Sequence, residues 1–173
     1  MKKIFALCNL LCVLLVSSQC KAQDKSSRPS PPAVVKQKLA SGSEITIDYS
    51  QPSLKGRTIG KDIEPKLDEV WRTGANEATV FETSKAIKIN GKELPAGKYG
   101  FFSIMGKDGW TIIFNKNWKQ WGAYDYKQEE DVLRTNAKET VSESSTEKFT
   151  FTIDTNGTVT LHWGTKKVSF IIE

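Results

Sequence analysis

Apolar side chains recur at every second position along most of this chain, and that rhythm constrains the fold more than any other feature. Ile45, Ile47 and Tyr49 alternate with polar residues, as do Val35, Gln37 and Leu39 before them. Near the C-terminus Phe149, Phe151 and Ile153 answer Val159, Leu161 and Trp163 across Asp154-Thr155-Asn156-Gly157. A strand sends successive side chains to opposite faces, so these runs predict strands with one buried face. A three-residue loop at Ser41-Gly42-Ser43 would pair Leu39 with Ile45 and Val35 with Tyr49, keeping both apolar rows together. A two-residue Asn90-Gly91 turn sets Ile87 opposite Leu94. At the last hairpin an Asn-Gly turn would split the apolar rows between faces. A three-residue loop, Thr155 to Gly157 with Gly157 left-handed, instead pairs Ile153 with Val159, Phe151 with Leu161 and Phe149 with Trp163.

The middle of the chain breaks the alternation in an informative way. Tyr99 to Met105 and Trp110 to Phe114 carry apolar residues on both faces, which predicts central strands covered on both sides. Glu69 to Thr73, Ala78 to Glu82 and Val132 to Thr135 predict further strands. Gly164-Thr165-Lys166 reads as a turn into a last strand, Val168 to Ile172. The helical candidate, Asp62 to Glu69, contains Pro65 and predicts one turn at most. About nine or ten short strands with frequent turns predict an all-β fold: a single antiparallel β-sandwich, jelly-roll-like or barrel-like.

The ends of the chain divide differently. Lys2-Lys3 followed by the apolar run Ile4 to Val16 reads as a signal peptide over residues 1–22, too short for a membrane span. Cleavage after Ala22 gives a periplasmic or secreted product. Lipidation at Cys20 is the alternative, and Gln19 is bulky for that position. Residues 23–32 (QDKSSRPSPP) read as a flexible linker, leaving 33–173 as one domain with no internal repeat. The three cysteines and three of the 25 Lys+Arg lie in the first 22 residues, with no acid. The rest therefore holds 22 basic and 20 acidic residues, a net of +2. A cysteine-free, nearly neutral domain excludes disulfides and a thiolate metal site. It also argues against nucleic acid, which needs gathered positive charge. No later stretch is apolar enough for a transmembrane segment.

Two segments depart from strand chemistry, and such departures mark function or strain. The first is Val70 to Thr79 (VWRTGANEAT). Here Trp71, Arg72, Asn76 and Glu77 could line a polar pocket, with Arg72 and Asn76 donating to an oxygen-rich ligand. An internal Arg72–Glu77 pair pinning the loop is the structural alternative. The second runs from Asn115 to Tyr126 and holds Trp118, Trp121, Tyr124 and Tyr126. Their flat faces suit stacking on sugars, or they form a lid over one end of the sandwich. Catalysis would need two facing carboxylates about 5–10 Å apart, and Glu77 with Asp48 or Asp125 are the candidates. His162 points away from the Leu161 and Trp163 face. With one His and no Cys after the leader, a zinc site would require three carboxylates. The acidic run Asp125, Glu129, Glu130, Asp131 lacks calcium-loop spacing. No metal or cofactor is expected.

Several stretches together resemble a known bacterial family, catalogued as domain of unknown function 2911. They are Ser30-Pro31-Pro32-Ala33, Ile47-Asp48-Tyr49-Ser50 with Pro52-Ser53, Lys55-Gly56-Arg57, VWRTGANEAT, Leu94-Pro95-Ala96-Gly97-Lys98-Tyr99, Trp110 to Asn115, Trp121-Gly122-Ala123-Tyr124 and Asp131 to Arg134. The resemblance covers nearly all of the chain after the linker. It implies a secreted, mostly β domain and no particular reaction. The family pattern has Ile-Pro-Gly where this chain has Ile104-Met105-Gly106. Three functions are therefore expected to compete. The first is an exported, non-catalytic binding module for a polar or glycan-like ligand, held by Trp71, Arg72, Asn76, Glu77, Asn115, Trp118, Trp121 and Tyr124. The others are a hydrolase using Glu77 with a second carboxylate, and a structural envelope protein with no ligand.

Overall fold

The computed structural model of the protein describes residues 24–173. The signal-peptide reading of 1–22 and the lipidation alternative at Cys20 fall outside the described residues. Ten strands follow in chain order: β1 (Pro32–Lys38), β2 (Glu44–Ser50), β3 (Val70–Trp71), β4 (Thr79–Thr83), β5 (Ile87–Ile89), β6 (Lys92–Leu94), β7 (Gly97–Met105), β8 (Trp110–Asn115), β9 (Asp131–Ile153) and β10 (Thr158–Ile171). Only two 3-10 turns, Lys25–Ser27 and Gln128–Glu130, interrupt them among the described residues, and no helix there is long and apolar enough to cross a membrane. Eight strands form one sheet in the order β1-β2-β4-β7-β8-β9-β10, with β3 on the far end of β7; β5 and β6 make a separate ribbon. All named pairings are antiparallel. The chain after β2 curls across to β9, where Phe149 N–H donates to Pro52 O and Leu54 N–H to Glu147 O. The result is the expected all-β, antiparallel sandwich of half-barrel form.

The register expectations fare unevenly. Ile87 faces Leu94 across Asn90 and Gly91, both at positive φ. Ile153 faces Val159 and Phe151 faces Leu161, with Gly157 at φ 91°. A side chain on Gly157 would run into Ile172 O, so glycine is required twice over. The first hairpin slips by two residues: Val35 faces Ile47 and Ala33 faces Tyr49. Leu39 N–H closes on Ser43 O, so the three-residue loop is Ala40-Ser41-Gly42, one position earlier than expected. A slip of two preserves the faces, which is why the apolar rows still coincide. The expected turn at Gly164-Thr165-Lys166 does not exist. β10 runs straight through it, and the register shifts on either side of Gly164, at φ 58°. A bulge bends a strand where a turn would reverse it. Likewise Val132–Thr135 and Phe149–Ile153 belong to one long strand, and Asp62 to Glu69 forms no helix.

The core explains why β7 and β8 are apolar on both faces. Phe101, Ile112 and Phe114 point into the main core with Phe81, Phe151 and Phe170. Phe102 and Ile113 point the other way and are fully buried too. They form a second cluster with Ala78, and Ala123 and Tyr126 of the aromatic loop pack on it. The loop is therefore a cover for the outer face of the central strands. That cover places the candidate site.

Candidate functional site

The VWRTGANEAT segment is a loop held in unfavourable backbone conformations by buried bonds. Thr73 lies at φ 51° and Asn76 at φ 60°. A β-branched residue there is strained. The Thr73 hydroxyl bonds to Ser103 Oγ at 2.9 Å, and Thr79 Oγ1 donates to Thr73 O at 2.8 Å. Asn76 Nδ2 donates to Ser30 O at 2.9 Å and Ser50 Oγ at 3.2 Å. At Gly74 a Cβ would stand 3.1 Å from Ser50 O and 3.0 Å from Thr79 Oγ1, so the loop closes tightly on β2. These constraints aim Glu77 outward. It forms a bridge with Trp121, while Ala78 N–H donates to Gln120 O and Gly122 N–H to Asn76 O. The two segments that the sequence singles out therefore meet edge to edge.

Where they meet lies an open cleft of about 390 Å³. Trp118 and Trp121 stand on its loop side, Asp48 and Glu77 on its sheet side, and Lys25 and Arg28 reach in from the N-terminal segment. Within 23–32, the stretch read as a linker, Lys25–Ser27 form a 3-10 turn and Arg28 reaches the domain. Arg28 Nη1 lies 2.8 Å from Glu77 Oε2 and Lys25 Nζ 3.1 Å from Glu77 Oε1. The Arg28 guanidinium also sits over the Trp121 ring, 5.8 Å from its centroid. At the other wall Lys119 and Lys98 lie 4.7 Å and 5.5 Å from the Trp118 ring. A second hollow shares Asp48, Val80 and Trp118 and continues along Val34, Lys36 and Glu82.

The two carboxylates differ in environment. Burial is the largest influence on Asp48 and pushes its carboxyl above the usual range. Lys25 opposes this, Glu77 adds to it, and Lys98 opposes it. Burial also pushes Glu77 upward, but its own N–H, Lys25 and Arg28 together outweigh that and hold it below the ordinary range.

The other sequence-predicted residues lie elsewhere. Trp71 is 3% exposed in the main core. Asn115 is fully buried. Its Nδ2 donates to Lys127 O and Asp131 Oδ1, and its Oδ1 accepts from Asn117 N–H, so it ties both ends of the aromatic loop. Asn76 spends its amide inside the fold, as above. Arg72 makes no pair with Glu77. It lies beneath the loop at Gly122, its Nε buried without a partner among the described residues. Tyr124 is 83% exposed and lines no part of the cleft, and Asp125 is exposed outside it as well. Sequence reasoning missed Lys25 and Arg28, whose only signal is two cations in an acid-poor stretch, and Gln120, whose Nε2 shapes the loop through Asn117 O at 2.8 Å. Among the described residues no group of three His, Cys, Asp or Glu side chains is placed to hold a metal ion.

No curated protein and no solved structure matches the chain. One family model does, over residues 30–172, and the aligned region takes in the strained loop, the aromatic loop and both cleft carboxylates. The chain belongs to the family described as Protein of unknown function (DUF2911).

Proposed function

We propose that this is an exported binding domain whose ligand, polar and glycan-like, occupies the cleft between Glu77 and the two indoles. The observation that carries this reading is the pairing of an open cleft with two tryptophans on its wall, in a loop that the Asn115 and Gln120 side chains tie down. Indole faces stack on sugar rings, and carboxylates accept from hydroxyls. Export rests on the leader of residues 1–22, which would place the domain where glycans are met. Glu77, Asp48, Trp118, Trp121 and Gln120 are the binding residues; Asn76 and Asn115 position the two loops. A glycan array comparing the protein with Trp121→Ala tests this. Binding by the parent that Trp121→Ala lowers at least tenfold supports it. Absence of binding, or equal binding by both proteins, removes it.

One observation favours a second reading, a hydrolase. Asp48 is shifted up and Glu77 down within one cleft, the pattern that separates an acid from a base. A hydrolytic substrate screen with Asp48→Asn and Glu77→Gln tests it: turnover by the parent and loss in both variants would favour catalysis over binding alone.

A further inference from the structure

Both carboxylates and both indole faces of the cleft already face cations of the chain itself. Glu77 takes two of them, Lys25 and Arg28, one on each carboxylate oxygen. The Trp121 face takes the Arg28 guanidinium and the Trp118 face takes Lys119 and Lys98. Asp48, the remaining carboxylate, feels Lys25 and Lys98. Carboxylates and indole faces are the two surfaces that attract organic cations. Of the donors that the sequence offers a neutral oxygen-rich ligand, the amides of Asn76 and Asn115 are spent inside the fold and Arg72 lies at Gly122, outside the cleft lining. The cleft is thus chemically a cation acceptor, and part of its cation supply arrives from outside the sheet. Lys25 and Arg28 precede β1 and reach Glu77 across some 50 residues of sequence.

We propose that the ligand is a glycan bearing free amino groups, an amino sugar, and that Lys25 and Arg28 hold the cleft as a tethered competitor. This rests on reading the cleft as a sugar site. The Lys25 ammonium on Glu77 marks where the ligand's ammonium goes, and the adjoining ring takes the face of Trp121 that Arg28 vacates. A neutral sugar would expel two cations from Glu77 and return only hydroxyls. An amino sugar returns a charge-assisted hydrogen bond, which is about twice as strong as a neutral one. Lys98 and Lys119 already occupy the Trp118 face, so the ammonium that is recognised is the one at Glu77. A segment tied on by a short linker competes at an effective concentration on the order of millimolar, so micromolar ligand must work against it.

Tryptophan fluorescence titration with a glucosamine tetramer and with its fully N-acetylated counterpart tests this on the full chain. Lys25→Ala/Arg28→Ala is expected to bind the free-amine tetramer at least tenfold more tightly than the parent. Glu77→Gln, of the same shape, is expected to abolish the preference for free amine over N-acetyl. Equal affinity of the double variant for both tetramers, or no gain over the parent, overturns the inference. Binding of the acetylated tetramer alone overturns the cation requirement and leaves the sugar cleft standing. Binding of neither tetramer by any of the proteins, with no hit on the glycan array, overturns both.

Discussion

Two groups of tryptophans in this protein have the same side chain and opposite surroundings. In the interior Trp71 stacks on Trp163 at 6.0 Å with the planes 10° apart, and Phe149 meets both edge-on. At the cleft Trp118 and Trp121 meet no aromatic partner among the described residues and instead carry Lys and Arg cations on their faces. The interior rings are placed by strands: each alternates with a polar neighbour, and packing decides its rotamer. The cleft rings are placed by a loop tied at Asn115 and Gln120, and polar bonds decide where they stand. An aromatic held by packing contributes chiefly to stability. One held by a polar scaffold, with its face exposed, contributes chiefly to recognition.

The largest expected effect tests that contrast head-on. Trp163 is 5% exposed, so Trp163→Ala opens a cavity and is expected to cost about 3–5 kcal/mol. Trp121 is 53% exposed, and Trp121→Ala is expected to change stability by no more than about 0.5 kcal/mol. Urea unfolding of the two variants decides the matter. Comparable losses would mean that Trp121 is a core residue and the cleft is merely its rim.

An intermediate effect is expected where the two regions touch. Gly100 lies in β7 beneath the aromatic loop. A Cβ there would stand 2.7 Å from the Asn117 carbonyl oxygen and 2.8 Å from the Phe102 ring. Gly100→Ala must push the loop outward, since the core strand beneath cannot yield. Overpacking of this kind costs about 1–3 kcal/mol. The sharper expectation is that ligand binding falls while the core packing survives, seen as an unchanged near-ultraviolet circular dichroism signal from Trp71 and Trp163. A variant that binds as the parent does would show that the loop is not seated on Gly100.

How far the sequence foretells this arrangement depends on which kind of placement is at stake. Period-two runs such as Phe149-Phe151-Ile153 reveal strand, face and partner, because one slipped residue would bury the wrong side chains. Doubled apolar positions, Phe101 with Phe102 and Ile112 with Ile113, reveal which strands are covered twice. The bulge at Gly164 escapes such reading, since glycine beside Thr and Lys spells a turn as well as a bulge. The meeting of Glu77 with the Trp121 loop is legible as an idea, because both segments break the rhythm. The membership of the site is not. Trp71 and Asn115 have the residue types of a binding site, yet Trp71 packs in the main core and the Asn115 amide is taken up by Lys127 O and Asp131. Lys25 and Arg28 are found only through contact, because nothing local in a Ser- and Pro-rich stretch marks a partner 49 residues away.

The smallest expected effect concerns the N-terminal cations and asks whether they treat the cleft as interior or surface. Glu77 is held below its ordinary range, against burial, by its own backbone N–H together with Lys25 and Arg28, whereas Asp48 beside it is raised by burial. A carboxyl lowered on folding adds stability that is complete above its unfolded value, roughly pH 4–5. That stability is lost as pH falls through the lower folded value. A raised carboxyl has the opposite sign: as pH climbs from roughly 4 through its folded value, stability is lost. The stability difference between the parent and Glu77→Gln is therefore expected to be largest near pH 6–7 and to vanish at low pH. The Asp48→Asn comparison should slope the other way. With the Glu77 side chain 40% exposed, the pair resembles a surface ion pair, worth under about 1 kcal/mol. Urea midpoints across pH 3–7 resolve the signs even where the magnitudes are small. A parent–Glu77→Gln difference that ignores pH would mean that Lys25 and Arg28 do not engage Glu77 in solution. The cleft would then stand open to its ligand without competition from the N-terminal segment, and Trp118 alone would keep cations on its face.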